Sequence, residues 1–141
     1  MAVEWDTSQA IAGLDALKQR VVAAASRAAE QGGQVMVETT KETAPVLTGR
    51  LRASIYSYGK RREGYAWIVH VAPHAVYARQ REFGGPITAK GPYMLRNRET
   101  GEVFGHSVSQ IGSHYFSRGI DAATPRIADV FRQAMADAFG G

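Results

Sequence analysis

Hydrophobic residues recur at spacings of three and four along residues 8–43, which predicts one long amphipathic helix. Thr7 or Ser8 can cap its first turn, and Pro45 ends it because the residue before a proline is pushed out of the helical region. Gly32 and Gly33 inside the helix favour a kink or short break over the close approach of a neighbouring backbone. The apolar stripe consists of Ile11, Leu14, Leu17, Val21, Ala25, Ala28, Gly32, Val35 and Thr39.

The pattern then changes to a period of two, which predicts strands over residues 54–58 and 65–72. A polar stretch with a glycine at each end, residues 59–64, predicts the hairpin loop between them. In the second strand, one face carries Tyr65, Trp67, Val69 and Val71, and the other carries Ala66, Ile68 and His70.

Residues 77–83 follow Pro73 and are expected to form a short helix or turn. The stretch 84–114 is weakly patterned, and its RETG segment predicts a hairpin that turns near Thr100 and Gly101.

A C-terminal helix is predicted to end at Phe139. Pro125 fits its first turn and Thr124 its cap, with a separate short turn over residues 116–123. Its apolar stripe is Ile127, Val130, Phe131, Ala134 and Ala138.

Together these elements predict an α+β fold. It consists of a long N-terminal helix, a small antiparallel sheet with an inserted hairpin or loop, and a C-terminal helix packed on the sheet. The 141 residues suit a single domain, with residues 86–112 as a variable loop insertion. No signal peptide or apolar membrane-spanning window is recognisable. The absence of cysteine excludes disulfides, thiolate catalysis and cysteine zinc sites.

The net charge of +4 is unevenly placed. Residues 50–98 carry ten basic side chains against Glu63 and Glu82, whereas residues 1–49 and 99–141 each have two more acidic than basic side chains. A positive middle segment attracts polyanions or an acidic protein surface.

No catalytic constellation accompanies these charges. The four histidines lack an HExxH, CxxC or GxSxG pattern, and no acid pair stands out as general acid and base. We therefore expect neither an enzyme nor a cofactor or metal site. The histidines, at positions 70, 74, 106 and 114, are interpreted as surface or interface residues.

Three segments follow the long helix in fixed order: APVLTGRLRASI at 44–55, VYARQREFGG at 76–85 and YFSRGIDAATPRIADVF at 115–131. In the first, Thr48, Gly49, Arg50 and Leu51 predict a turn with glycine in a conformation closed to other residues. In the second, Tyr77 and Phe83 are expected to pack on the core. Glu82 is expected to pair either locally with Arg79 and Arg81 or, across the fold or a subunit boundary, with Arg50 or Arg52.

In combination, the three segments resemble the "gene product ten" type family of neck proteins from long-tailed bacteriophages. In that family the first segment launches the first strand, and the second ends in an acid, an aromatic and a glycine, here Glu82, Phe83 and Gly84. The third segment departs from the usual proline-phenylalanine-leucine-arginine form and keeps the aromatic at Phe116.

The resemblance implies a non-enzymatic virion protein that forms a ring, most plausibly sixfold, at the head–tail junction. Such a protein serves in tail completion, as a connector or as a tail terminator. Its partners would be its own copies and neighbouring neck and tail-tube proteins, and it would be assembled in the host bacterial cytoplasm.

The basic side chains suggest two further possibilities. They can face DNA in the lumen of a ring, or the chain can instead be a small basic nucleic-acid-binding domain whose aromatic rings stack on bases. An ordinary solvated surface is the simpler explanation for them. The residues concerned are Lys60, Arg61, Arg62, Arg96 and Arg98.

Overall fold

The computed structural model describes residues 6–46, 48–97 and 100–140. Within these residues, four helices and six strands occur as separate runs, and every strand pair is antiparallel, which confirms the α+β class. The helices are α1 (Ser8–Thr43), α2 (Arg50–Ala53), α3 (Ala78–Phe83) and α4 (Tyr115–Gly140). The strands are β1 (Ile55–Glu63), β2 (Ala66–Pro73), β3 (Gly84–Thr88), β4 (Leu95–Arg96), β5 (Val103–Gly105) and β6 (Ser107–Ile111).

The strands form three antiparallel pairs, β1 with β2, β3 with β6 and β4 with β5. The β1–β2 hairpin packs on α1, and α4 lies along α1. The described residues of the stretch 84–111 therefore form an arm of two successive antiparallel strand pairs, with β3–β6 at its base and β4–β5 at its tip.

The long helix is confirmed, but its N-terminal cap is not the one expected. Neither Thr7 nor Ser8 caps the helix through its side chain; instead, the Asp6 carboxylate accepts hydrogen bonds from the Ser8 backbone N–H at 2.9 Å and from the Ser8 hydroxyl at 2.5 Å. At the other end, Ala44 is extended with ψ 133°, as its position before Pro45 predicts.

Helix α1 continues through both glycines, so the expected short break at Gly32 and Gly33 was wrong. A Cβ on Gly32 would lie 3.3 Å from Ile127 of α4, and one on Gly33 would lie 2.9 Å from Val69 of β2. The glycines therefore let side chains of neighbouring elements approach, whereas the less favoured alternative had expected a neighbouring backbone.

Helices α1 and α4 are antiparallel, and they approach most closely where the C-terminal end of α1 meets the N-terminal end of α4. A Cβ on Gly119 would lie 2.7 Å from the Thr40 hydroxyl. The Thr43 hydroxyl donates a hydrogen bond to the Tyr115 carbonyl at 2.7 Å. The core gathers at this end of the molecule, where Tyr115 is fully buried. Its other members are Val37, Ala44, Leu51, Ile55 and Ala78.

The predicted loop over residues 59–64 is mostly strand. β1 continues to Glu63, and a register shift between Tyr58 and Arg61 absorbs the irregularity, with Gly59 at φ 65°. The turn shrinks to Gly64 and Tyr65. A β-bulge at a glycine therefore replaces the expected loop, because one extra residue can be left unpaired while the ladder continues.

The hairpin near Thr100 and Gly101 is confirmed by the pairing of β4 with β5. The pairing of β3 with β6 was not predicted. It joins residues 19 to 27 positions apart, so the short-range pattern contains no signal for it.

The C-terminal helix begins ten residues earlier than expected. Pro125 lies inside α4, and Thr124 does not cap a helix but donates a hydrogen bond to the Ile120 carbonyl at 2.8 Å. Residues 116–123 are helical because the first turn at Tyr115 has a remote cap, described below.

Candidate functional site

The first signature segment forms the predicted turn. Gly49 has φ 75°, in the left-handed region that disfavours side chains. The turn does not launch the strand directly, however, because the single helical turn α2 intervenes before β1 starts at Ile55. That turn points Leu51 into the core and leaves Arg50 exposed.

The second segment forms α3, but its aromatic residues face outward. Tyr77 and Phe83 are both exposed, with 66% of Phe83 accessible, so the expectation that they pack on the core was wrong. Ala78 and Glu82 point inward instead. These two residues are four positions apart, so they lie on the same face of the helix, which is the face that is buried.

Glu82 caps α4. Its carboxylate accepts hydrogen bonds from the backbone N–H of Phe116 at 2.7 Å, the N–H of Ser117 at 3.1 Å and the Ser117 hydroxyl at 2.5 Å. Two of the orphan amides that begin every helix are thereby satisfied by a side chain from α3. Among the described residues no ion pair joins Glu82 to an arginine, so the local pairing with Arg79 and Arg81 and the pairing across the fold were wrong. Pairing with Arg50 or Arg52 across a subunit boundary stays a prediction.

The surroundings of Glu82 favour its charged form. Burial alone raises the pKa of this carboxyl, of which only 5% is exposed. The hydrogen bonds from Ser117 and Phe116, together with the charge of His114, outweigh burial and hold the pKa below its ordinary value. Glu82 is therefore an anion at neutral pH, placed at the positive end of the α4 dipole.

A backbone clamp completes the contact between α3 and the start of α4. The N–H groups of Ser113 and His114 donate to the carbonyls of Arg81 and Glu82 at 2.8 and 3.0 Å. A Cβ on Gly84 would overlap the Gln110 carbonyl, and one on Gly112 would overlap the α3 backbone. The first glycine of the double glycine, Gly84, is thus explained by the close contact of two backbones, whereas Gly85 has a positive φ of 115°.

The core next to this clamp contains a second perturbed group. Burial, followed by the neighbouring Glu82 and Tyr77, raises the pKa of Tyr115 to about 12. The Tyr115 hydroxyl has no hydrogen-bond partner within the described part of the chain. Phe116 is half-buried against the core, and its ring meets that of Tyr115 edge to face at 6.4 Å. Both aromatics therefore serve packing.

The first two segments and the arm enclose one cleft of about 460 Å³, which we call the signature cleft. Arg50 and Arg81 line it, together with the apolar side chains of Leu51 and Ile87. No acidic residue is among its described lining residues, which also include Pro45, Thr48, Gly49, Tyr77, Gln80, Asn97 and Gln110. Gln80 and Gln110 were not singled out from the sequence, and Arg81 was considered only as a partner of Glu82, because only the fold brings the arm against the signature turn.

The predicted basic cluster is divided between intramolecular partners. Lys60 pairs with Glu30 at 2.7 Å and lies 5.2 Å from the ring centre of Trp67. Arg61 pairs with Glu63 at 2.9 Å, and Arg62 donates to the Gly64 carbonyl at 2.9 Å.

These three basic side chains lie on the β1 strand and not at a loop tip. Arg96 is exposed on β4, and Arg98 lies outside the described residues.

Across residues 6–46, 48–97 and 100–140, no three His, Cys, Asp or Glu side chains are grouped as a metal site would require. In the same ranges, no helix is both long and apolar enough to cross a bilayer. The signature residues instead organise a turn, a helix cap and a backbone contact, which is the arrangement of a structural protein.

Comparison with protein families gives the same class. Residues 8–84, just over half of the chain, match the family described as "Bacteriophage HK97-gp10, putative tail-component", and the chain belongs to that family. Comparisons with curated proteins and with solved structures found no match. Family membership gives the protein a structural role in a phage tail and a location in the virion.

Proposed function

We propose that this chain forms a closed homo-oligomeric ring, most plausibly sixfold, that completes the phage tail at the head–tail junction. The role would be that of a connector or tail terminator, without catalysis. Family membership supports a tail structural protein. The step from tail protein to ring is supported by the apolar surface that a single copy leaves uncovered.

That surface is the observation on which the proposal depends. Helix α1 has 36 residues and α4 has 26, so α1 is about 15 Å longer at 1.5 Å per residue. Their antiparallel contact begins where the C-terminal end of α1 meets the N-terminal end of α4. The shorter α4 therefore does not reach the first turns of α1. There Ile11 and Leu14 are 57% and 66% exposed, and Phe139 at the end of α4 is 63% exposed. Exposed apolar groups of this kind are typical of subunit contacts.

The partners of the ring would be neighbouring neck and tail-tube proteins. The arm contacts α3 at its base and lies almost entirely beyond the family match, which ends at residue 84. An element outside the shared part of the fold suits recognition of a particular neighbour. The arm would order against that neighbour during assembly in the host bacterial cytoplasm.

Contact between DNA and the ring lumen remains a secondary proposal. Lys60 and Arg61 already have carboxylate partners, at 2.7 and 2.9 Å. A phosphate would have to compete with those pairs, so any contact would be weak and salt-dependent. The alternative of an independent nucleic-acid-binding domain is disfavoured for the same reason.

Size-exclusion chromatography with light scattering, with and without DNA, tests the proposal. A ring predicts one discrete oligomer whose mass does not depend on DNA. A monomer or dimer that gains mass only when DNA is added would instead support the nucleic-acid-binding domain.

A further inference from the structure

Two surfaces at opposite ends of the molecule lack partners. The first is the N-terminal knob, which we define as residues 6–17. Ile11, Leu14 and Asp15 are three and four positions apart and so share one exposed face of α1. The first 17 residues of the sequence carry three acidic side chains and no lysine or arginine. The knob is thus an apolar helical face with negative charge.

The second surface is the signature cleft, which has the complementary character. Its apolar floor includes Leu51 and Ile87, and its two charged lining residues are Arg50 and Arg81. Neither arginine is in an ion pair with any described residue. The cleft can therefore accept an apolar helical face that brings a carboxylate.

A chain cannot fill its own cleft with its own knob. The cleft includes Pro45, two residues past the end of α1, whereas the knob is the start of the same helix. Asp15 lies 28 residues before the end of this unbroken helix at Thr43, which places it about 42 Å from the cleft along the helix axis. The complementary surface must come from another molecule, and a second copy of this chain supplies it.

We propose that the N-terminal knob of one copy inserts into the signature cleft of the next. Ile11 and Leu14 would cover the apolar floor, and Asp15 would face Arg50 and Arg81. This is a helix laid in a groove. Because two different surfaces meet, the contact is heterologous, and its repetition either closes a ring or extends a filament. The inference builds on the proposed ring and names its subunit contact.

Mixing two defective variants tests this contact. The knob variant carries Ile11→Glu and Leu14→Glu, and the cleft variant carries Arg50→Glu and Arg81→Glu. Each should be monomeric alone, with an unchanged helical circular dichroism spectrum. An equimolar mixture should give a dimer with one copy of each and no larger species, because only one intact knob and one intact cleft remain to meet.

Matched controls exclude general effects of added charge. Tyr65→Glu replaces an exposed aromatic residue at the β1–β2 turn with an acidic one. Changing Arg20 and Arg118 together to glutamate reverses the charge of two exposed residues outside both surfaces. Both controls should assemble as the wild type does.

Three outcomes would overturn the proposed contact. If both variants assemble normally, the ring stands and the contact lies elsewhere. If both are monomeric but form no dimer when mixed, the two surfaces do not meet. If the wild type itself is monomeric under every condition, the ring and the contact fail together.

Discussion

Removing the Glu82 carboxylate should destabilise the protein more than any other single change to an acidic residue described here. Glu82→Ala deletes the acceptor of three hydrogen bonds and leaves the amides of Phe116 and Ser117 without their partner. It also removes a negative charge from the N-terminal end of α4, the helix that covers much of α1.

The magnitude can be worked out from these contacts. A hydrogen bond to a charged group contributes about 1.5–3 kcal/mol, and loss of a helix cap costs about 0.5–2 kcal/mol. The contributions are not additive, and water can reach the exposed Ser117 in the variant. We therefore expect Glu82→Ala to lower the free energy of unfolding by about 3 kcal/mol. For a chain of this size that corresponds to a fall in Tm of roughly 10 °C. Glu82→Gln retains one acceptor oxygen and should cost about half as much.

The pH dependence provides an independent check. The pKa of Glu82 in the folded protein is below its ordinary value of 4.5. A depressed folded pKa means that the carboxylate contributes its full stability above the unfolded pKa and loses it as the pH falls through the folded pKa. The stability difference between wild type and Glu82→Gln should thus be largest above about pH 5 and shrink below pH 4.5.

Urea denaturation of both variants from pH 3 to 7 measures this directly, with Glu42→Ala on exposed α1 surface as the control. A Glu82→Ala loss below about 0.5 kcal/mol at pH 7 would refute the capping argument, since that is the range of ordinary surface substitutions. So would a difference between wild type and Glu82→Gln that stays constant with pH.

Three further predictions concern the signature turn, the arm and the basic strand. Gly49→Val should lower the free energy of unfolding by at least about 1 kcal/mol, because valine is strained at the positive φ of this residue. No neighbouring atom would touch the added Cβ, so backbone strain is the sole cause, and an unchanged Tm would contradict this. Amides of residues 86–112 should exchange fastest in the free protein and become protected in assembled particles, and strong protection in the free protein would count against ordering on assembly. Replacing Lys60, Arg61 and Arg62 together with serine should leave ring formation intact and reduce the retention of DNA by assembled particles. Loss of the ring in this variant would instead show that the three residues lie at a subunit interface.

The parts of the fold that depend on local pattern were predictable. The three- and four-residue spacing of apolar side chains predicted α1, and Pro45 predicted where it ends. The alternation of apolar and polar residues predicted the two strands of the first hairpin. The Gly49 conformation also followed, because a turn between a helix stop and a strand requires a residue that tolerates positive φ. Each of these features depends on neighbours within a few residues.

The parts that depend on distant contacts were not predictable. The α4 start requires Glu82, which is 34 residues from Phe116, so Pro125 looked like a better beginning than Tyr115. Outward-facing Tyr77 and Phe83 were misjudged because a six-residue helix is too short for a readable periodicity. The one available signal was that Glu82 is one of two acids in a strongly basic segment, which suggested a specific partner but not its identity.

Negative-stain electron microscopy of the purified wild-type protein tests the central claim most directly. Class averages should show closed rings of one size, with sixfold rotational symmetry and a central opening. Single subunits at high concentration, even with neighbouring neck or tail proteins present, or open filaments of variable length would contradict the account.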